Sequence, residues 1–228
     1  AIVTDRAKSA PRSKQTAIGL SEVGEPCARR LAYRTLDWHK TNTNSDPWPS
    51  ISGTAIHSYL AETFEKLDGY LVEHRVNIND KFKGTLDLFD IQRGMVIDHK
   101  CVGASSMKKR QKDGMTETQR VQINLYGLGL AMAGYKVEKV ALAFYPLGGR
   151  LDGLYTIVEP FDANLAANAI ERIGEIQSLV YALDPEANPG NWMHIPSNPS
   201  DSCTFCPWLL PFSDDLSKGC PGQMGARS

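Results

Sequence analysis

An α/β protein is what this sequence predicts, and three stretches carry the prediction. Residues 84–100 read as a β-hairpin, residues 116–134 as a capped amphipathic helix, and residues 137–158 as a further pair of strands, so the two periodicities alternate along the chain. At 228 residues the chain is long enough to bury a proper core. Its 42% hydrophobic and 22% charged residues are the proportions of a globular protein in water. A formal net charge of −1 excludes any general electrostatic hold on a polyanion, so a nucleic-acid partner would need local basic patches or metal ions. No run approaches the length of a membrane-spanning helix, and the N-terminus lacks the apolar core of a signal peptide, so a cytoplasmic protein with no membrane partner is expected.

Taken in order, residues 1–16 are polar and aperiodic and read as a mobile leader, with one domain over 17–228 whose core covers about 50–184. A helical pattern runs from Ile18 to Leu36 with an interruption at Pro26-Cys27, which puts Pro26 in the first turn of a second helix and Cys27 near its N-terminus. Arg29, Arg30 and Arg34 follow, either as a solvated helix face or as phosphate contacts. Residues 40–50 have the composition of a loop. From about Ser52 to Leu67 a helix is expected, with Ile56, Leu60, Phe64 and Leu67 as its apolar stripe and His57 beside that stripe. Gly53 lies one turn earlier, leaving room next to the imidazole. A weakly alternating strand begins at Leu71, with Glu73 near its start.

The hairpin holds the densest chemistry. Side chains alternate faces along a strand, so in Val96-Ile-Asp98-His-Lys100 the pair Asp98 and Lys100 shares one face. A tip at Gln92-Arg93 closed by Gly94 sets Leu88 opposite Ile97 and Asp87 opposite Asp98, and a one-residue slip would mix carboxylates with the apolar pair. Two facing carboxylates repel unless a proton or cation lies between them, and their oxygens suit magnesium or manganese. A solvated strand edge with an ordinary ion pair is the bland alternative for any isolated Asp-x-Lys. After the hairpin, residues 105–112 read as a basic loop whose Lys108, Lys109 and Arg110 would supply countercharge to a polyanion.

Thr116-Glu-Thr-Gln119 is a capping box, and the helix it opens has Val121, Leu125, Leu128 and Met132 as its expected buried stripe and Gly134 as its stop. Gln122 and Tyr126, four residues apart, either orient a substrate group or pack at a boundary. Strands at 137–145 and 154–158 follow, then a helix capped by Asp162 and ended by Pro185. Beyond it the chain is rich in Pro, Asn and Ser and needs a staple. Cys203-x-x-Cys206 with Cys220 supplies three ligands, and Cys27 is the remaining cysteine outside the core strands that could be the fourth. Cys101 reads as a buried thiol on the hairpin strand.

Gly53-x-x-x-His57, Gly84-x-x-Asp87, Asp98-x-Lys100 and Gln122-x-x-x-Tyr126, in that order, resemble the motif set of the RecB-like nucleases in the PD-(D/E)xK superfamily. The split cysteines resemble the iron-sulfur staple of AddB-type and CRISPR-associated RecB-like exonucleases, although those bring the last two cysteines closer than Cys206 and Cys220. The resemblance implies a central mixed sheet flanked by helices and a Mg²⁺ or Mn²⁺ ion held by His57, Asp87, Asp98 and the His99 carbonyl. It implies Lys100 as a catalytic residue with Asp87 and Asp98, Gln122, Tyr126 and Glu73 as DNA-positioning residues, and a 4Fe-4S cluster on Cys27, Cys203, Cys206 and Cys220, with zinc as the alternative. A metal-dependent DNA nuclease follows, more readily an exonuclease than an endonuclease, acting on single strands or ends in recombination, repair or phage DNA processing beside a helicase, annealing or integration partner. A non-catalytic nucleic-acid-binding subunit and a hydrolase of another phosphate ester are the competing expectations.

Overall fold

The computed structural model describes residues 18–43 and 46–224, so the expected leader lies outside the described residues. The described residues divide into two compact units, one of residues 19–24 and 47–169, the other containing residues 25–43, 46 and 170–224.

The first unit is built on five strands, β1 (Tyr70–Asn77), β2 (Lys83–Asp90), β3 (Met95–Val102), β4 (Lys139–Pro146) and β5 (Tyr155–Pro160), which lie side by side in that order. Only β3 and β4 are parallel, so the sheet is mixed, and their connection is the long one that carries two helices. The β2–β3 turn works because Gly94 adopts φ 57°, where a side chain would be strained and would also meet the Lys136 carbonyl at 2.7 Å. Its ladder pairs Leu88 with Ile97, Phe89 with Val96 and Asp90 with Met95, the register expected from the alternation.

Helix α1 (Ala28–Thr35) belongs to the second unit, while α2 (Trp48–Phe64), α3 (Ala104–Asp113) and α4 (Glu117–Met132) belong to the first, and α5 (Ala163–Leu183) runs from one into the other. α4 begins at the capping box, Thr116 Oγ1 accepting from the Gln119 N–H and Gln119 Oε1 from the Thr116 N–H. It is apolar almost all round, with Val121, Ile123, Leu125 and Leu130 buried. The expected stripe is therefore rotated: Ile123 and Leu130 replace Leu128 and Met132 as core, and Met132 is exposed. Packing of this density needs small contacts. At Gly84 on β2 a Cβ would sit 2.8 Å from Leu20 and 3.1 Å from the Tyr126 ring, so glycine is what lets α4 settle against the strand.

Four local expectations are corrected. Residues 18–27 hold a turn and no helix, and Cys27 is the N-cap of α1 with Pro26 just outside it. α2 starts at Trp48, inside the stretch read as loop, because Pro47 and Pro49 suit a helix start. Its Ile56, Leu60 and Phe64 are only half-buried, and Leu67 lies past its end and is exposed. The basic stretch after β3 is a helix, α3, anchored by the single buried side chain of Met107. One apolar anchor among charged residues gives no periodicity to read.

The second unit is joined by contacts between chain segments far apart in sequence. Tyr33 Oη donates to the Leu216 carbonyl at 2.6 Å, Trp38 Nε1 to the Ser217 carbonyl at 2.8 Å and Trp208 Nε1 to the Trp38 carbonyl at 2.9 Å. The Tyr33 ring packs at a tilt of 30° against Trp192, 4.2 Å between centroids, and stacks on Trp208 at 5.6 Å. α5 buries Ile173, Ile176 and Val180 and ends before Pro185, and Asp162 caps it by accepting from the Leu165 N–H.

Candidate active site

Asp87 is the one interior residue of β2 that enters neither neighbouring ladder. On one side the β1–β2 pairing runs Val72↔Leu88, then His74↔Leu86, passing over Glu73, whose φ of 44° is left-handed and rare for a residue with a side chain. On the other side the β2–β3 pairing stops at Leu88↔Ile97, one step short of Asp98. Both ladders therefore open at the same place, and carboxylates fill the opening. Asp87 Oδ2 accepts the His99 N–H at 2.7 Å, which ties β2 to β3 where backbone pairing has ended. Strained backbone of this kind persists where the surrounding structure holds it.

α2 brings His57 to the opening, with Nδ1 3.4 Å from Asp87 Oδ1. Donor atoms of His57, Glu73 and Asp87 all lie within 4.8 Å of one another, one nitrogen and two carboxylate oxygens around a space that a hard divalent cation fits. Sequence reasoning placed Glu73 with the nucleic acid; in the structure it is exposed, at a left-handed φ of 44°, with a carboxylate oxygen within 4.8 Å of donor atoms of His57 and Asp87. Above Gly53 a Cβ would meet nothing within 4 Å, so the space next to this face of α2 is open.

Asp98 and Lys100 share a face of β3, as the alternation requires, with Lys100 Nζ 2.7 Å from Asp98 Oδ2. Asp98 is only 2% exposed. Gln122 lies beneath the pair: its Oε1 accepts from Lys100 Nζ at 3.5 Å, and its Nε2 donates to Asp98 Oδ1 at 3.4 Å and to Tyr126 Oη at 3.0 Å. This orientation gives the amide oxygen to the cation and the amide protons to the carboxylate and the phenol, the arrangement that satisfies all three. Gln122 and Tyr126 are 9% and 6% exposed, and Gln122 joins the Asp98–Lys100 pair to Tyr126.

The charges are arranged to want a cation. Burial pushes Asp98 above the ordinary carboxylate range, against the pull of Lys100, and the Asp87 charge adds to the push. Burial also pushes Asp87 up, but the His57 hydrogen bond and charge, with the His99 N–H, outweigh it and hold Asp87 low. The same hydrogen bond to Asp87 raises His57, against burial. His99 points to the other face, where burial lowers it to about 4, and its Nδ1 has no hydrogen-bond partner among the described residues.

Each unit also carries a basic helix. On α3, Lys108, Lys109 and Lys112 are exposed, while Arg110 Nη1 donates to the Gly114 carbonyl at 2.9 Å and closes the helix end. Arg29 and Arg30 on α1 are engaged within the second unit, Arg30 with Glu25 at 2.9 Å and Arg29 with the Ile195 carbonyl through Nε at 3.2 Å and Nη2 at 2.9 Å.

In that second unit Cys27, Cys203, Cys206 and Cys220 line one cavity, and all four are free thiols. Three of the sulfurs receive N–H groups: Cys203 from the Ser200 backbone at 3.4 Å, Cys220 from Arg29 Nη1 at 3.9 Å, and Cys206 from the Trp208 backbone. Cys27 instead stands at the N-cap position of α1, without a side-chain hydrogen bond to the helix. Without an ion, burial pushes the Cys206 thiol up to about 11. Four free thiols around one cavity, three of them receiving N–H groups, fit a bound metal group. Among the described residues no three of these sulfurs close to within 4.8 Å of one another, whereas ligands about 2.3 Å from a zinc ion stand about 4 Å apart. Cys101, on β3 of the first unit, is half-buried, its thiol raised by burial.

No protein-family model matches the chain, and no curated protein matches its sequence. Its fold is similar to that of solved nucleases. A phage-related exonuclease from Haemophilus somnus 129PT is 14% identical with a TM-score of 0.51, over 75% of this chain and 96% of that one. An alkaline exonuclease from Laribacter hongkongensis is 13% identical with a TM-score of 0.51, over 77% of this chain and 95% of that one. The same enzyme in complex with dAMP is 15% identical, with a TM-score of 0.50 over the same shares. At these identities the likeness defines the fold alone, a mixed five-stranded sheet flanked by helices. Among the described residues no helix is long and apolar enough to cross a membrane.

Proposed function

We propose that this chain is a divalent-metal-dependent nuclease that hydrolyses DNA phosphodiester bonds, most readily as an exonuclease of the RecB-like type. The observation that carries the reading is the opening of both β2 ladders at Asp87, where His57, Glu73 and Asp87 gather a metal-sized donor set beside the Asp98–Lys100 pair. His57, Asp87, Asp98 and the His99 carbonyl would hold Mg²⁺ or Mn²⁺, joined by Glu73. When bound, such an ion supplies Lewis acidity to the phosphate and its attacking water.

The chain's own groups do the rest. Lys100, fixed by Asp98 and Gln122, presents an ammonium to the phosphoryl oxygens as negative charge builds on them. Water attacks phosphorus, the bond to the leaving sugar oxygen breaks, and the water's protons pass to solvent and to that oxygen. Tyr126 keeps Gln122 in place, so Lys100 arrives already oriented. Lys108, Lys109 and Lys112 on α3, just after the catalytic strand, would hold the phosphate backbone.

The four cysteines would hold a 4Fe-4S cluster, in preference to zinc because the sulfurs are spread wider than a single zinc ion draws its ligands. That cluster would cross-link the two chain segments of the second unit and replace the large apolar core that a Pro-rich tail cannot build. Work on DNA ends in recombination, repair or phage DNA processing, alongside a helicase, annealing or integration partner, is the setting this reading supports. Single- and double-stranded DNA labelled at either end, incubated with and without manganese, tests it. Metal-dependent release of mononucleotides or short fragments from labelled ends is the expected result, and DNA left intact at every metal concentration would overturn it. Cleavage of a generic phosphodiester without cleavage of DNA would transfer the same machinery to another ester.

A further inference from the structure

On the face of the sheet where His99 points lies a cavity of about 230 Å³ that the metal site does not use. β4 contributes the small side chains of Ala141 and Ala143 to its floor and the Tyr145 ring to its wall, and Ile97, His99 and Phe64 complete the surround. At this volume it falls below the range that encloses a drug-sized molecule, so it admits one ring system. The rings are arranged for stacking: Phe64 lies near-parallel to His99, 17° apart in plane and 6.1 Å between centroids, and Tyr145 stands edge-on to His99 at 5.4 Å.

The polar groups say which end is for recognition. At the hairpin end Asp90 is already satisfied, accepting the Arg93 N–H at 2.9 Å and Arg93 Nη1 at 2.6 Å. At the other end His99 is 5% exposed and its Nδ1 has no partner among the described residues. A buried imidazole without a hydrogen bond is costly unless something completes it, and a neutral imidazole offers one donor and one acceptor. This end also adjoins the candidate metal site, since the His57 and His99 rings are 6.0 Å apart and the His99 N–H is held by Asp87.

We propose that this cavity is a base subsite: it receives the planar heteroaromatic base of the nucleotide whose phosphate sits at the carboxylate site. The base lies over the alanine floor with its edge turned to His99. The inference rests on the nuclease reading and deepens it, because it makes the unstacked base of a terminal or single-stranded nucleotide part of what is recognised.

The test compares dAMP with 2-deoxyribose 5-phosphate, which keeps the phosphate and lacks the base, by calorimetric titration of the full chain with manganese present. The base should strengthen binding on the order of tenfold or more. Ala143→Phe places a ring in the floor, and Thr156→Trp swings one in from an exposed position on β5 that tolerates substitution, so a misfolded Ala143 variant leaves the question answerable. Both variants should erase the advantage of dAMP while titrating manganese as the wild type does. Equal binding of the two phosphates by the wild type, or an advantage that survives Thr156→Trp, overturns the subsite even if the protein cleaves DNA, and leaves the groove to a partner polypeptide. A wild type that neither binds manganese nor cleaves DNA overturns the nuclease reading and the subsite with it.

Discussion

The carboxylate opening and the cysteine cavity solve the same problem, gathering metal-binding groups, by opposite means. The first is assembled by regular strands whose pairing stops at Asp87, so four of its residues lie on two adjoining elements, Asp87 on β2 and Asp98, His99 and Lys100 on β3. The second has almost no regular structure and collects Cys27 from one segment and Cys203, Cys206 and Cys220 from another. One site exists because a sheet positions it. The other would itself be a source of structure, since a bound metal group would link Cys27 to the three cysteines of the tail across about 175 residues of sequence, adding to the aromatic packing and long-range hydrogen bonds that already join those segments. Removing a group from the first should therefore cost activity and leave the fold, while removing one from the second should cost the fold.

The largest effect expected is at Lys100. Lys100→Ala should lower DNA cleavage by roughly 10²–10³-fold, the cost of losing one transition-state donor, while keeping its unfolding temperature and its manganese binding. Asp87→Ala should lose cleavage and manganese binding together. Cleavage kinetics paired with calorimetric titration separate the two, and wild-type turnover by Lys100→Ala would break the assignment.

In the second region, serine at position 27, 203, 206 or 220 should bleach the brown colour of anaerobically purified protein and lower its unfolding temperature by several degrees or more. Cys101→Ser should change neither. A colourless wild type carrying stoichiometric zinc would keep the staple and reject the cluster, and a bleached Cys101→Ser protein would mean that the wrong four thiols were chosen.

Protons sharpen the comparison, because His57 and Asp87 shift in opposite directions through one contact. His57 is raised, so its share of the stability is fully present below its unfolded value of about 6.5 and is lost as pH rises through the folded value. Asp87 is lowered, so its share is present above about 3.9 and is lost as pH falls through the folded value. Between these limits the pair supports the metal-free fold. A metal ligand must be neutral imidazole, so manganese affinity should rise about tenfold per pH unit until pH passes the raised His57 value, then level off. Affinity that is flat across that range would remove His57 from the metal set.

The two regions also differ in how legible they were. Asp98, Lys100 and the register of Leu88 with Ile97 could be read because a period of two leaves one way to bury the apolar residues. The placing of Glu73 with the metal set could not, since it comes with a local break in the β1–β2 ladder that residue types do not announce. Nor could α3, whose helix rests on Met107 alone, or the inward turn of Gln122 and Tyr126, which share α4 with residues buried on nearly every side. For the cysteines, spacing suggested three ligands and elimination a fourth, and the cavity that gathers all four came only with the fold. Arg29, the charged donor to Cys220, sat in a run of arginines that reads equally as a solvated face.

Arg29 gives a smaller and more specific effect. A cationic N–H donor to a ligand sulfur favours the reduced cluster, so Arg29→Gln should move the midpoint potential to a more negative value, and Arg29→Lys, which keeps the charge, should move it less. Spectroelectrochemistry on protein that retains its colour reads this directly. A potential that does not move would assign Arg29 only the structural task of holding the Ile195 carbonyl.

The smallest expected effect is on how DNA is held, and the structure changes which residues to test. With a formal net charge of −1, long-range attraction to a polyanion is weak, so affinity rests on a few local cations. The sequence pointed to Lys108, Lys109 and Arg110, but Arg110 is engaged with the Gly114 carbonyl, whereas Lys112 is exposed and lies one turn after Lys108. Changing Lys108, Lys109 and Lys112 together to Ala should weaken binding and reduce the slope of log affinity against log salt by about 0.7–0.9 for each phosphate that these lysines no longer neutralise. Turnover at saturating DNA should stay near normal, since none of the three belongs to the carboxylate site. Arg110→Ala should act instead on stability, by freeing the end of α3, with little change in the salt slope. Fluorescence anisotropy across a salt series, paired with thermal melts, tells the two apart. If the triple lysine variant keeps the wild-type slope, α3 is a solvated connection and the phosphates are held elsewhere on the chain.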